Sequence, residues 1–193
     1  MEQQEVLQAF RDTQALLSGH FELRSGLHSD QFFQCALLLQ YPRIAEKLCA
    51  AVVAKMRAQL GADFKVDAVI SPALGGIPVG HEVGRAFGVR AIFAEKEQGK
   101  LVLRRAFQVK PGERFVVAED VITRGGRVQE VVDIVTARGG IVAAIGVLVD
   151  RSGGTAKFDA PVISLVQMTP KTWQPAECPL CQQGGDKAIH PGS

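Results

Sequence analysis

The chain has 193 residues, of which 47% are hydrophobic, and this is enough to form the core of one domain. Its net charge is only +2, with acidic and basic residues interspersed, so it lacks the basic stripe that is typical of nucleic-acid-binding proteins. No apolar run is long enough to cross a membrane, and Met1 is followed at once by polar residues, so no signal peptide is visible. We therefore expect a cytoplasmic protein with neither a nucleic acid nor a membrane as partner.

The first forty residues are expected to form a helix and two extended segments that cover the core. Apolar residues recur among polar ones across residues 2–18, which predicts an amphipathic helix that Gly19 ends. Beyond it, a glycine-containing turn separates one alternating segment from a second, in which Phe32 and Phe33 begin an extended piece. Arg24 precedes that turn, and an arginine beside an aromatic face can hold a flat anionic ring by hydrogen bonds and stacking. An ordinary exposed arginine is the alternative.

Predicted helices and strands then alternate from residue 42 to residue 165, which favours a parallel sheet covered by helices. Pro42 suits the first turn of a helix that reaches about residue 60. The next short strand ends in a loop with Gly75 and Gly76, and another helix follows. Backbone amides of such a loop can bind a phosphate, although a plain turn has the same sequence pattern.

A charged segment follows the strand predicted at residues 90–93. Residues 95–100 include a glycine and predict a mobile surface loop, whereas residues 101–107 alternate as one arm of a hairpin would. Lys96 and Lys100 lie in this segment, and on composition alone its cations favour a solvent-exposed surface.

An apolar run from residue 115 contains two adjacent carboxylates, Glu119 and Asp120, and leads to paired glycines, Gly125 and Gly126. Helically spaced valines follow, so the stretch predicts a buried parallel strand, a tight loop and a helix. The helix N-terminus and the glycines suit a phosphate, and the carboxylates suit hydroxyl groups. Together they match a ribose 5-phosphate. An exposed Asp in an ordinary strand-to-helix turn is the alternative.

Arg151 follows a long apolar strand, predicted at residues 141–149, and precedes two glycines. At the carboxyl end of a strand it would point into the same crevice as the paired carboxylates. An ion pair with Asp150 would explain the same pattern.

The tail from residue 169 is rich in Pro, Gly and Gln, and it contains Cys178 and Cys181. A Cys-x-x-Cys pair supplies two of the four ligands of a structural zinc ion, and His190 or a second subunit could supply more. A partly ordered tail with reduced thiols is the alternative, which the sequence favours.

Three separated motifs give the chain a resemblance to a known family, over about residues 10–165. Residues 115–126 resemble the motif by which type I phosphoribosyltransferases bind phosphoribosyl diphosphate (PRPP): hydrophobic residues, two acids, hydrophobic residues and Thr-x-Gly-Gly. Phe-x-Leu-x-Ser-Gly-x-x-Ser-x-x-Phe-Phe at residues 21–33 resembles the hood of orotate phosphoribosyltransferases. The implied fold is α/β, the type I phosphoribosyltransferase fold, with a parallel sheet flanked by helices and a small N-terminal hood.

We expect three regions: an N-terminal helix and hood segment at residues 1–40, an α/β PRPP-binding core at 41–168 and a C-terminal tail with the Cys-x-x-Cys pair at 169–193. The resemblance has further implications. It implies transfer of the phosphoribosyl group from PRPP to orotate, giving orotidine 5′-monophosphate and pyrophosphate in pyrimidine biosynthesis. The implied cofactor is Mg²⁺, held mainly by substrate, and the implied assembly is a homodimer.

Roles for individual residues also come from the resemblance. PRPP would be bound by Gly75, Gly76, Lys96, Lys100, Glu119, Asp120, Val121, Ile122, Thr123, Arg124, Gly125 and Gly126. Orotate would be bound by Arg24, Phe32, Phe33, Thr123 and Arg151. Lys96, Lys100 and Asp120 would be catalytic, with the lysines on a flexible loop that closes over the partner subunit's site. Gly75 stands where many members have a lysine, and the loop lacks the usual histidine.

Two other functions are compatible with the PRPP motif. A purine or uracil phosphoribosyltransferase would keep it, but the hood segment with Arg24 and the aromatic pair argues against that class. A non-catalytic PRPP-sensing regulator would also keep it, but such regulators usually add a DNA-binding helix-turn-helix or a basic RNA-binding face, and neither is visible.

Overall fold

The structure is a computed structural model that describes residues 1–23, 25–184 and 186–190. Its helices and strands, in chain order, are α1 (Gln3–Asp12), β1 (Leu16–Glu22), β2 (His28–Phe33), α2 (Cys35–Leu39), α3 (Pro42–Leu60), β3 (Ala68–Pro72), α4 (Gly76–Phe87), β4 (Arg90–Glu97), β5 (Lys100–Leu103), β6 (Arg114–Ile122), α5 (Gly126–Thr136), β7 (Ile141–Asp150), β8 (Val162–Gln167), β9 (Thr172–Trp173) and α6 (Pro179–Gln182). A short 3-10 helix, Pro175–Glu177, precedes α6. Within these described ranges, no helix is both long and apolar enough to span a membrane.

Six strands form the central sheet, in the order β5-β4-β3-β6-β7-β8. Neighbouring strands are parallel except for β5, which runs antiparallel to β4. Alternate residues of the central strand β6 face opposite sides: Val116 packs with α3 and α4, whereas Val117 packs with α5. Because helices cover both faces, the strand is almost continuously hydrophobic. This arrangement confirms the predicted parallel α/β sheet.

The hood is a second sheet, of three strands in the order β1-β2-β9. Its antiparallel β1–β2 pair matches the predicted cover, but the helix predicted over residues 2–18 is wrong in its second half. Helix α1 ends at Asp12, and Leu16 lies in β1 opposite Phe33 of β2. Strand pairing in the hood therefore overrides the helical spacing of the apolar residues. The double aromatic ends β2 instead of beginning a strand.

The segment predicted as a mobile loop, residues 95–100, is instead part of a regular β-hairpin. Strands β4 and β5 pair antiparallel, with Lys96 opposite Leu101. Gln98 and Gly99 form the turn with φ of +50° and +86°. Two-residue hairpin turns need such left-handed values, so these residues fit the turn although the segment is highly charged.

The tail is more ordered than predicted. Strand β9 pairs with β2 and places Trp173 opposite His28. Further along, the Ile189 backbone N–H donates to the carbonyl of His20 at 2.9 Å, and the Ile189 carbonyl accepts from Glu22 N–H at 2.9 Å. The tail therefore packs along the hood and adds a strand to its sheet.

Candidate active site

Two adjacent carboxylates lie near the carboxyl end of the central strand β6. Glu119 is almost fully buried, with 2% of its surface exposed, and its Oε1 accepts a hydrogen bond from Asp120 N–H at 3.1 Å. Burial, together with the neighbouring Asp120 charge, raises the pKa of Glu119 from its usual 4.5 to about 9. Glu119 therefore carries its proton at neutral pH in the ligand-free protein.

A glycine loop from the neighbouring strand approaches these carboxylates closely. Strand β3 pairs in parallel with β6, so the loop after β3 lies at the same edge of the sheet. A Cβ at Gly75 would lie 2.8 Å from Asp120 Oδ2, and one at Gly76 would lie 3.0 Å from Glu119 Oε1. Side chains at these positions would displace the acids, which explains why the loop offers backbone donors here.

The loop between β6 and α5 forms a pocket of about 290 Å³. Gly125, with φ of +81°, turns the chain into the helix, where the first backbone N–H groups have no partner within the helix. The described residues that line the pocket are Glu119, Val121, Ile122, Thr123, Arg124, Gly125, Gly126, Arg127, Val128 and Glu130. A carboxylate therefore lies on one side of this pocket and a helix N-terminus on the other.

Arg151 lies beside the same strand end and faces the hood. Its backbone N–H donates to the Ile122 carbonyl at 2.8 Å, and its guanidinium carbon lies 5.1 Å from the centroid of the Phe33 ring. The Arg151 Nε is buried without a hydrogen-bond partner among the described residues. Asp150 does not pair with it: its Oδ1 accepts from Ser152 N–H at 2.8 Å. A buried, unsatisfied donor above an aromatic face can hold a flat anion.

Comparison with known proteins identifies the family. A family profile described as "Phosphoribosyl transferase domain" matches residues 39–182. The orotate phosphoribosyltransferase of Heliobacterium modesticaldum is 52% identical over all 193 residues and 99% of its own length. That of Desulforamulus reducens is 47% identical over the full chain and 98% of its own length. This chain belongs to the orotate phosphoribosyltransferase family. The family, the transferase class and the place in pyrimidine biosynthesis predicted from the sequence are thereby confirmed.

Solved structures show that the fold is shared more widely than the family. The orotate phosphoribosyltransferase from Aeropyrum pernix aligns with a TM-score of 0.65 at 22% identity, over 84% of this chain and 93% of that chain. An adenine phosphoribosyltransferase from Thermoanaerobacter pseudethanolicus aligns with a TM-score of 0.61 at 18% identity, over 72% and 88%. The predicted type I phosphoribosyltransferase fold is confirmed, and this fold by itself does not select a base.

The hood residues predicted for the orotate phosphoribosyltransferase site are divided between two faces of β2. Phe33 is buried and faces Arg151, whereas the Phe32 ring lies 5.8 Å from that of Phe21 on the other side. Successive strand residues point in opposite directions, so a double aromatic delivers only one ring to each face. Arg24 lies outside the residues that the structure describes. Thr123 is exposed at the phosphate loop.

Four of the residues predicted to bind PRPP either offer mainly backbone atoms or do not border the described phosphate pocket. The Ile122 side chain is buried in the hydrophobic cluster on one face of the sheet, and the Val121 side chain packs against the cluster on the other face, so both residues offer mainly backbone atoms. Lys96 and Lys100 lie on the β4–β5 hairpin, and the described lining of the 290 Å³ pocket includes neither. Lys100 instead borders a separate pocket of about 430 Å³ beside Glu130.

Arg127 is a functional candidate that the sequence reading missed. Its Nη2 donates to the Ala73 carbonyl in the glycine loop, and its Nε lies 4.0 Å from Glu119 Oε2. It thus joins the two loops that approach the paired acids. The sequence did contain one signal for Arg127. It is a cation in the first turn of a predicted helix, where the helix dipole favours acidic residues, and such an unfavourable placement can indicate a functional role.

Cys35 is a second residue that the sequence reading missed at this site. Burial raises the pKa of its thiol well above the usual value, the Asp120 charge raises it further, and Arg151 opposes the shift. The thiol therefore stays protonated between the acids and the arginine. Burial also lowers the pKa of Arg151, which shows that this guanidinium is poorly solvated.

The larger cavity of about 480 Å³ lies elsewhere, between the hood and the tail. Its described lining is Ser18, Gly19, His20, Asp30, Gln31, Leu180, Gln183 and Asp186. It has neither the paired acids nor a glycine loop at a helix N-terminus, so the smaller pocket is the candidate for phosphoribosyl chemistry.

Proposed function

We propose that this chain transfers the 5-phosphoribosyl group from PRPP to orotate, giving orotidine 5′-monophosphate and pyrophosphate. The observation that carries the choice of base is the half-buried Arg151 above Phe33, whose Nε is buried without a partner among the described residues, beside the loop that suits a ribose phosphate. Orotate is flat and anionic. An arginine that donates to its carboxylate or ring carbonyls gains a charge-assisted hydrogen bond in a poorly solvated site.

The paired acids suit the changing charge of the sugar. As pyrophosphate leaves C1′ and orotate N1 attacks from the opposite face, the ribose gains positive character. In our proposal, Glu119 and Asp120 hold the ribose hydroxyls, and Asp120 stabilises this positive charge more strongly in the transition state than in the ground state. The backbone N–H groups of residues 123–126 hold the 5′-phosphate at the start of α5.

The donor set fits Mg²⁺. The side chains of Glu119 and Asp120 and the backbone of the neighbouring loops offer oxygen atoms, which are the hard ligands that Mg²⁺ prefers. PRPP would supply most of the coordinating oxygens, and Asp120 is the protein group that could add one. When bound, Mg²⁺ would disperse the negative charge that develops on pyrophosphate.

A homodimer with shared sites completes the proposal. Lys96 and Lys100 project on the hairpin at the edge of the sheet and do not border their own chain's described phosphate pocket. A Cβ at Gly75 would lie 2.8 Å from Asp120 Oδ2, and with a glycine here the loop after β3 supplies backbone donors but no cation at that place. The negative charge of pyrophosphate then needs cations from elsewhere, and the partner's hairpin would supply them while closing the site to water.

Base selectivity is the direct test. Purified protein is mixed with PRPP and Mg²⁺ and then with orotate, uracil or adenine, and pyrophosphate release is followed. We expect release with orotate alone. Equal release with adenine or uracil would contradict the assignment of Arg151, and binding of PRPP without release for any base would favour a PRPP-sensing regulator.

A further inference from the structure

Four metal-binding side chains converge where the tail packs on the hood. His20 belongs to β1, His28 begins β2, and Cys178 and Cys181 lie at the start of α6. One ligand atom from each lies within 4.8 Å of all the others. We call these four residues the hood–tail cluster. They lie on the hood, apart from the paired acids of the active site.

The spacing within the hood–tail cluster matches a tetrahedral ion. The Sγ of Cys178 lies 3.5 Å from His20 Nε2, and that of Cys181 lies 3.6 Å from the same nitrogen and 3.3 Å from His28 Nδ1. Zinc bonds of about 2.3 Å to sulfur and about 2.0 Å to nitrogen, at tetrahedral angles, put such atoms roughly 3.5 Å apart. The two nitrogens are 2.9 Å apart, so the histidines need to open by only a few tenths of an ångström around an ion.

The imidazoles are already oriented for coordination. His20 Nδ1 lies 2.8 Å from the Asp186 carbonyl, a hydrogen bond in which that nitrogen must donate. The tautomer then leaves the Nε2 lone pair facing the cluster. Ligating histidines commonly have their second ring nitrogen fixed in this way by a carbonyl or carboxylate. The two ring planes are inclined at 69°, and His20 Nε2 faces His28 Nδ1 across the cluster.

The cluster offers four protein ligands at the surface of the hood. His28 and Cys178 are buried, His20 is half-buried and Cys181 is exposed, and both cysteines are free of disulfides. Four protein ligands leave no open position for a substrate, and a set of two sulfurs and two nitrogens in tetrahedral arrangement suits Zn²⁺. We propose that the hood–tail cluster binds one structural zinc ion, which fastens the tail to the hood. His190, the third ligand considered from the sequence, does not belong to this cluster.

Metal content tests the proposal without reference to catalysis. The full chain is produced without a histidine tag in zinc-supplemented medium, dialysed, and measured by elemental mass spectrometry. We expect about one zinc per chain. Cys181→Ser and His20→Gln should each lower retained zinc by about tenfold or more. His190→Ala and Cys49→Ala are matched controls that should retain it.

A second measurement uses the unsubstituted chain, so that the proposal can still be tested if the variants do not fold. Trp173 is the only tryptophan, and it lies opposite His28 in the hood sheet, so its fluorescence should change when a chelator removes the ion. Protein reconstituted with Co²⁺ should show the visible absorption of a tetrahedral site with thiolate ligands. Wild-type protein with no bound zinc after reconstitution, or zinc retained equally by Cys181→Ser and His20→Gln, would overturn the proposal. Neither result would affect the assignment of the phosphoribosyl site.

Discussion

The active-site crevice and the hood–tail cluster both bring polar groups together, but the groups of each site are separated by very different lengths of chain. Glu119, Asp120 and the phosphate loop belong to one strand–loop–helix unit. In the hood–tail cluster, His20 and Cys178 are 158 residues apart. The strand–loop–helix unit keeps its geometry as long as its strand is buried, whereas the four ligands of the hood–tail cluster come together only when the tail packs on the hood. Substitutions in the crevice should therefore change turnover without changing the amount of bound metal, and substitutions in the cluster should lower the amount of bound metal.

The largest expected effect is at Asp120. Asp120→Asn removes the charge that stabilises the cationic sugar, so kcat should fall by about 10²–10³, the scale for loss of one preorganised electrostatic group. Circular dichroism and zinc content should stay unchanged, because the acid is not part of the hood–tail cluster. Asp133→Asn, at a carboxylate that accepts from Gln129 on α5, is the control with normal turnover. Unchanged kcat in Asp120→Asn at saturating substrates would refute the role of this acid.

The next effect concerns the base. Arg151→Ala should weaken orotate binding by roughly 1.5–3 kcal/mol, because a charge-assisted hydrogen bond in a poorly solvated site is lost. PRPP affinity should change far less, and calorimetric titrations with each substrate measure both. Arg57, which stacks 5.5 Å from the Phe87 ring away from the site, provides a matched arginine–aromatic control in Arg57→Ala. Equal weakening of both substrates would argue against Arg151 as a base-binding residue.

The comparison extends to two subunits if each active site takes residues from both chains of a dimer. A variant lacking Lys96 and Lys100 and a variant lacking Glu119 and Asp120 should each be nearly inactive alone. Equal mixing should restore about a quarter of wild-type activity, since half of the dimers are hybrid and each hybrid has one intact site. Lys47→Ala, at an exposed lysine of α3, should be fully active without a partner. No recovery, with hybrid dimers verified by mass spectrometry, would mean that the hairpin serves its own subunit.

The last prediction concerns stability instead of chemistry, as a pH dependence that comes from Glu119. Its pKa is about 9 in the folded chain and near 4.5 when unfolded, so the folded state holds a proton that the unfolded state releases. This contribution is fully present below pH 4.5 and is lost as the pH rises towards 9. Glu119→Gln removes the dependence, so its Tm should exceed that of the wild type by several degrees at pH 8.5 and by little at pH 5.

Thermal unfolding across this pH range measures the difference. The matched control is Glu46→Gln, at an exposed carboxylate on α3, whose difference from wild type should not grow with pH. A constant offset for Glu119→Gln across the range would show that Glu119 ionises normally in the folded chain.

The central sheet and the phosphate loop could be predicted from the sequence because their signals are local. An apolar strand, two acids and a glycine pair, in that order along the chain, predict the strand–loop–helix unit and suggest the phosphate that we propose for it. The start of the hood could not be predicted in this way. The spacing of Leu16 from the apolar residues before it fits a helix, and only the pairing of Leu16 with the distant Phe33 shows that it belongs to a strand. The hairpin at Gln98 was obscured by its charges, although its turn residues are suited to a two-residue turn.

In the candidate sites, too, residues that are close in sequence could be predicted and residues that are distant in sequence could not. The Cys-x-x-Cys pair was visible as half of a metal site, but His20 and His28 carry no sequence signal that links them to it. Similarly, Arg127 lies near Glu119, and the charge of Asp120 raises the pKa of the Cys35 thiol, because segments distant in sequence fold towards the end of β6. The pairing of distant segments supplied what periodicity and motif spacing could not.

The three-stranded hood has a consequence for the order in which the protein is assembled during its synthesis. Strand β9 follows β8 in the chain, so the ribosome completes the whole central sheet before it delivers the strand that pairs with β2. Until then, His28 and its neighbours present an unpaired strand edge, the kind of surface on which nascent chains associate wrongly. The hood therefore begins among the first segments translated but acquires its last strand only after the catalytic core has been made.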